Sequence, residues 1–115
     1  MSNDRRIDYI EFKSTDIEAA KSFYAAAFGW EFTDYGPTYS SFSDGRLGGG
    51  FQKTDEPVVP GGPLIVLFAD LLEATEATVI EHGGRIVRKI FSFPGGRRFH
   101  FADPDGNELA VWSDR

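Results

Sequence analysis

The chain of 115 residues contains no cysteine and only two histidines, His82 and His100. The first absence excludes a disulfide framework, a thiol nucleophile and every thiolate metal site. The second leaves little room for a metal centre built from several imidazoles. Basic residues are in deficit, with twelve Lys and Arg against eighteen Asp and Glu and a net charge of −6. Nucleic-acid binders carry a basic footprint, so no nucleic-acid partner is expected. No apolar run approaches the ~20 residues that span a bilayer. The opening Met1-Ser2-Asn3-Asp4-Arg5-Arg6 has charges with no apolar segment behind them. Neither a membrane anchor nor a signal peptide is therefore expected, and a cytoplasmic location is the default.

What the chain does have is eleven Phe and thirteen Gly, against a background of 41% hydrophobic and 26% charged residues. That composition points to an ordinary globular domain whose strands have aromatic faces and end in tight turns. A chain this long buries roughly two thirds of its unfolded surface, enough for one domain and not two independent ones.

Polarity alternates with a period of two over residues 7–13, which reads as a strand. Thr15 or Asp16 is placed to cap a helix carrying Ile17, Ala20, Phe23 and Tyr24 at helical spacing, with Gly29 placed to end it. Short strands follow at Trp30–Asp34, Tyr39–Phe42 and Leu47–Gln52, separated by Gly36-Pro37 and Ser43-Asp44-Gly45 turns. Residues 54–62, rich in Pro and Gly, read as a connector. The order then repeats: a strand at Pro63–Phe68, a helix at Leu71–Glu81 closed by His82-Gly83-Gly84, and a strand at Arg85–Val87. A loop at Phe91–Gly96 leads to strands at Arg97–Ala102 and Glu108–Trp112, around the turn Asp103-Pro104-Asp105-Gly106. Glu18, Ala19 and Gly29 recur 55 positions on as Glu73, Ala74 and Gly84, and Asp44-Gly45 recurs 61 positions on as Asp105-Gly106. This is an internal repeat. The predicted fold is α+β: two βαβββ modules, about 7–53 and 63–113, pairing into a curled mixed sheet around a central cleft with the helices outside.

Two segments carry a resemblance to a known family. STDIEAAKSFYAAAFGWEF (residues 14–32) resembles the strand–Asp–helix–Phe-Gly-Trp signature of the vicinal oxygen chelate superfamily, which includes glyoxalase I, bleomycin-resistance proteins and extradiol dioxygenases. FHFADPDGNELAVW (residues 99–112) resembles that family's closing strand, turn and last strand. The resemblance implies that metal-dependent relatives place a His, Glu or Gln ligand on the first and last strand of each module. Those positions fall here on Tyr9, Gly49, Leu64 and Ala110. Three of these side chains have no lone pair to give, and a divalent ion needs several N or O donors in one place. No metal cofactor is therefore expected.

Alternation also sorts the faces. Ile10, Phe12, Leu109 and Val111 should pack under helices. Tyr9, Leu64, Val66, Phe68 and Trp112 should then line the cleft with apolar and aromatic surface, and Glu11, His100 and Glu108 should supply its polar groups, the usual makeup of a small-molecule site. Each polar candidate also has a structural reading. Glu11 could pair with Lys13 or an Arg, His100 could be a satisfied core imidazole, and Glu108 could be solvated after its turn. Arg97 and Arg98 could meet an anionic ligand group or sit in a solvated hairpin. DPDGNE lacks the alternating donors of a calcium loop, and FPGGRR lacks the Lys-Ser/Thr of a phosphate loop.

Two functions compete. In the first, the protein binds a small, partly hydrophobic or aromatic molecule without a metal. In the second, it is a lyase, isomerase or dioxygenase using a non-standard metal site or acid–base chemistry, with Glu11 as the base and His100 or Glu108 as its partner. The resemblance further implies a homodimer, and Trp30 would either serve its interface or pack against a helix.

Overall fold

A computed structural model describes residues 4–115. It contains β1 (Tyr9–Ser14), α1 (Ile17–Phe28), β2 (Glu31–Asp34), β3 (Tyr39–Ser43), β4 (Gly48–Lys53), β5 (Ile65–Phe68), α2 (Leu72–Glu81), β6 (Arg85–Phe93), β7 (Gly96–Ala102) and β8 (Glu108–Ser113). The chain divides into two compact units, the first running to Pro57 and the second from Val58.

Each unit is one strand–helix–three-strand module with a four-stranded mixed sheet. The strand order is β1-β4-β3-β2 in the first and β5-β8-β7-β6 in the second. In both, the first strand runs parallel to the last, and the other pairs are antiparallel. The α+β class and the repeated order of elements are as the sequence indicates, with strand ends moved by one or two residues except at β6, which runs six residues past Val87.

Local chemistry explains the elements. The Asp16 carboxylate accepts a hydrogen bond from the Ala19 amide at 3.1 Å, capping α1, and Gly29 ends it at φ 74, a left-handed conformation that suits glycine. Its apolar stripe of Ile17, Ala20, Phe23 and Tyr24 is buried. Tyr24 stacks on Trp30 with centroids 4.5 Å apart, and Trp30 stacks on Phe42 at 4.4 Å. Phe12 and Phe51 stack at 5.2 Å in the same cluster. Each such ring contributes about 1.5–3 kcal/mol by burial, and a good ring pair about 0.5–1.5 kcal/mol more. Trp30 is 7% exposed, so it belongs to this core and offers no interface. In the second unit Leu72 and Val79 of α2 are buried, as are Phe99, Phe101, Leu109 and Val111 of β7 and β8.

One expectation fails. Phe91–Gly96 is not a loop: residues 91–93 finish the nine-residue β6, and Phe93 pairs with Gly96 across a two-residue Pro94-Gly95 turn. Proline and glycine there make a hairpin turn, with Gly95 at φ 108, and the flanking aromatics extend the strands.

Candidate functional site

In the first unit the residues of β1 alternate as expected. Phe12 stacks with Tyr24 and Phe51 on the helix side, and Tyr9 and Glu11 lie on the opposite, open face. Their partner is one the sequence did not disclose. Tyr39, on β3, places its hydroxyl 2.5 Å from the Tyr9 hydroxyl and donates to Glu11 Oε1 at 3.0 Å. Desolvation, then the hydrogen bonds to Tyr9 and Glu11, push the Tyr39 phenol well above its ordinary pKa. Glu11 is thus held by a phenol, a partner the sequence did not single out.

The Tyr9–Tyr39–Glu11 chain crosses β4, the strand between β1 and β3, and glycine permits the crossing. A methyl group on Gly50 would strike the Tyr39 and Tyr9 hydroxyls. Gly49 has a different role. It pairs with Ile10 and Phe42, and a methyl there would strike the Ile10 carbonyl and the Phe42 ring on the helix side. Gly49 therefore faces away from Tyr9. The open-face position opposite Glu11 is Gly50, just as Ala110 stands opposite Val66 in the second unit. The segment after the Asp-Gly turn is one residue longer in the first unit, and a one-residue change of register turns every side chain to the other face.

In the second unit, Val66 and Phe68 of β5 pair with Ala110 and Trp112 of β8, which in turn face His100 and Arg98 of β7. Residues directly opposite share a face, so all of these lie on the open side of the sheet. Leu64 precedes β5 and is half-buried. Val66 and Phe68 are 42% and 49% exposed, and Phe68 meets Trp112 edge-on at 5.2 Å. His100 is buried, and its Nδ1 lies 2.9 Å from Glu108 Oε2. Phe91 and Phe93 of β6 continue the aromatic surface, with the Phe91 ring 5.9 Å from His100 and the Phe93 ring 6.3 Å from Trp112. Arg88 lies over the Phe91 ring at 3.6 Å and Arg98 at 5.4 Å.

Arg97 and Arg98, neighbours in sequence, separate completely. Arg97 points to the helix side and binds both carboxylate oxygens of Glu73 on α2, and it donates to the Arg115 carbonyl at 2.9 Å. That fork holds the Glu73 carboxyl below its ordinary range. Only Arg98 shares the face of His100. Glu11 belongs to the first unit, whereas His100 and Glu108 form a pair in the second. The turn between β7 and β8 is held by Asp103, whose carboxylate accepts from the Asp105 and Asn107 amides, both at 2.9 Å, and from Asn107 Nδ2 at 3.1 Å. A shallow groove of about 430 Å³ lies elsewhere, between α2 and β6, lined by Glu76, Ile80, Ile86, Lys89 and Ile90.

The donor set at the positions implied by the family resemblance does not fit a divalent ion. Tyr9 offers a phenol already bonded to Tyr39, and Leu64, Ala110 and either Gly49 or Gly50 offer no side-chain donor. Among the described residues, no three of His, Cys, Asp and Glu are grouped so as to hold a metal. None of the described helices is long and apolar enough to cross a membrane.

Two strand–helix–three-strand units in one chain, each with an open sheet face, define a class of duplicated βαβββ proteins. The chain belongs to the Glyoxalase/Bleomycin resistance protein/Dioxygenase superfamily, whose profile matches residues 6–111. Proteins of Mycobacterium bovis and Mycobacterium tuberculosis named "Putative glyoxylase CFP32" are each 27% identical over 118 aligned positions, covering 91% of this chain. The chain spans only 44% of the length of those mycobacterial relatives. A glyoxylase-like domain-containing protein of Didymella fabae is 28% identical and is covered over 91% of its length, with 92% of this chain aligned. In three dimensions, a glyoxalase/bleomycin resistance protein/dioxygenase family enzyme from Burkholderia phytofirmans superposes with a TM-score of 0.83 at 16% identity, over 95% of this chain and 100% of its own. That likeness speaks for the fold alone.

Proposed function

We propose that this chain binds a small, partly aromatic or hydrophobic molecule and does so without a metal ion. The observation that carries the proposal is the open face of the β5–β8 sheet. There Val66, Phe68 and Trp112 form an apolar surface, and the His100–Glu108 pair is set beside it as the polar group that orients a ligand. The Tyr9–Tyr39–Glu11 chain offers a second set of oriented polar groups on the first unit's sheet. Metal independence is supported by the donor chemistry at Tyr9, Leu64, Ala110 and the β4 glycines. We extend the proposal to a homodimer in the cytoplasm; the family resemblance supports the dimer, and light scattering on the purified protein checks it.

The test is a thermal-shift panel on protein purified without chelator, combined with elemental analysis. Aromatic and apolar small molecules should raise the melting temperature, whereas Mg²⁺, Mn²⁺, Zn²⁺ and Ni²⁺ should not. A stoichiometric, tightly held metal, with stabilisation by the same ion, would overturn the proposal.

A second reading, acid–base catalysis by a lyase or isomerase, draws support from one observation. The imidazole of His100 is oriented by a carboxylate, the arrangement a general base requires. On this reading His100 is the base and Glu108 its orienting partner, in place of Glu11. Loss of turnover in His100→Gln with retained ligand binding would favour it.

A further inference from the structure

The β5–β8 face carries two buried nitrogen atoms whose hydrogen-bonding capacity the fold leaves unused. Among the described residues, Arg98 Nε and His100 Nε2 are the buried side-chain polar atoms without a partner. The His100 side chain is only 9% exposed. Buried polar atoms in folded proteins are nearly always satisfied, and an exception needs a reason. The two residues are separated by one position on β7 and so project from the same face, with Cα atoms about 6.5–7 Å apart.

Their hydrogen-bonding characters differ, and the difference selects a ligand. Arg98 Nε is a permanent donor on a permanent cation. His100 Nδ1 faces the Glu108 carboxylate at 2.9 Å, and an ionised carboxylate only accepts. The shared hydrogen is therefore on Nδ1, and in the neutral tautomer this leaves Nε2 as an acceptor, buried and without a partner within the chain. A cationic donor and a neutral acceptor side by side complement an anionic oxygen with a hydroxyl next to it. Phe91 and Phe93 flank the Arg98 guanidinium at 5.4 and 5.7 Å, and Phe93 adjoins Trp112. On this face of the β5–β8 sheet Arg88 and Arg98 lie by the Phe91 ring and Glu108 pairs with His100.

We propose that Arg98 and His100 form the recognition site for a hydroxycarboxylate with an aromatic or apolar body. The carboxylate lies on the Arg98 guanidinium, the adjacent hydroxyl donates to His100 Nε2, and the body rests on Phe93 and Trp112. Glu108 is a positioning residue that fixes the imidazole tautomer. This deepens the binding reading above by naming the chemical class of ligand, and it rests on that reading.

The experiment follows the Arg98 Nε–H and His100 ring resonances of the ¹⁵N-labelled full chain by NMR during titration with three probes. Mandelate carries both groups, phenylacetate lacks the hydroxyl, and benzyl alcohol lacks the carboxylate. Mandelate should shift both sets of resonances saturably and bind at least tenfold more tightly than either other probe. Arg98→Met should weaken both acids tenfold or more and leave benzyl alcohol unaffected. Arg98→Lys, which keeps the charge but loses Nε, should recover only part of the loss. Glu108→Gln should erase the preference for mandelate over phenylacetate and change the ¹⁵N signature of the His100 tautomer. Equal binding of mandelate and phenylacetate, or an Arg98→Met chain that binds mandelate normally, overturns the proposal. Saturable binding of benzyl alcohol without either acid also overturns it, while leaving the broader binding reading standing. If none of the three binds, the hydroxycarboxylate site is refuted, and the thermal-shift panel decides the broader reading separately.

Discussion

Two adjacent glycines on β4 should respond very differently to the same methyl group. At Gly49 the new methyl meets the backbone carbonyl of Ile10 and the Phe42 ring. Phe42 is 6% exposed and pinned by Trp30 at 4.4 Å, so neither obstacle can move aside cheaply. Overpacking of this kind costs about 1–3 kcal/mol, and a backbone obstacle puts Gly49→Ala at the upper end. Replacing glycine also reduces the freedom of the unfolded chain, which returns about 0.4–1 kcal/mol. The net loss is about 2 kcal/mol, or a fall in melting temperature of roughly 8–12 °C for a chain of this size. At Gly50 the obstacles are the ends of two tyrosine side chains on the open face. These can swing outward, giving up hydrogen bonds worth about 0.5–1.5 kcal/mol each, against the same gain from the unfolded state. Gly50→Ala should therefore cost about 1 kcal/mol, less than Gly49→Ala. Differential scanning calorimetry on the two variants reads the contrast. Equal losses, or a larger loss at Gly50, would refute the face assignment on which the open-face residues of the first unit rest.

Further outcomes follow from the other contacts. In ultraviolet titration of the four tyrosines, Tyr39 should stay protonated well above pH 10, because its folded pKa is raised, and Tyr39→Phe should delete that late step; a full tyrosine titration near pH 10 would contradict the hydrogen-bonded Tyr9–Tyr39–Glu11 chain. The Glu73–Arg97 fork depresses a carboxyl pKa, so its contribution is present above the ordinary value of 4.5 and is lost as pH falls through the lower folded value. The melting-temperature gap between the native chain and Glu73→Gln should accordingly shrink on acidification below pH 4.5, and a gap that widens would contradict the assignment. Asp103→Ala removes the buried acceptor of three hydrogen bonds in a part-exposed turn and should cost about 2–3 kcal/mol in chemical denaturation, with Asp103→Asn much milder; a loss below ~0.5 kcal/mol would show that the turn is held by Pro104 and Gly106 alone.

Much of the architecture is legible in the chain because it is written locally. Asp16 and Gly29 mark both ends of α1, the Asp-Gly turns recur, and period-two alternation puts His100 and Glu108 on one face across a short turn. What the sequence hides is long-range. Tyr39 reaches Glu11 only because β4 inserts between β1 and β3 with glycine at the crossing, and strand order is not a local property. The extension of β6 through Phe93 is hidden because a proline and a glycine read equally well as a loop and as a two-residue hairpin turn. The placement of Gly49 fails for a related reason: an offset taken from the turn carries no information about a one-residue difference between turn and strand. Arg97 and Arg98 are told apart by the sequence itself, because alternation along the predicted strand Arg97–Ala102 sets Arg98 with His100 and turns Arg97 to the other face.

The central claim is that a small molecule binds this chain without help from a metal. Isothermal titration of chelator-treated protein with the most stabilising small molecule of the thermal-shift panel tests it directly. Saturable binding with the same affinity before and after chelation is the expected result. Binding that disappears with the chelator and returns on adding one equivalent of a divalent ion would contradict it.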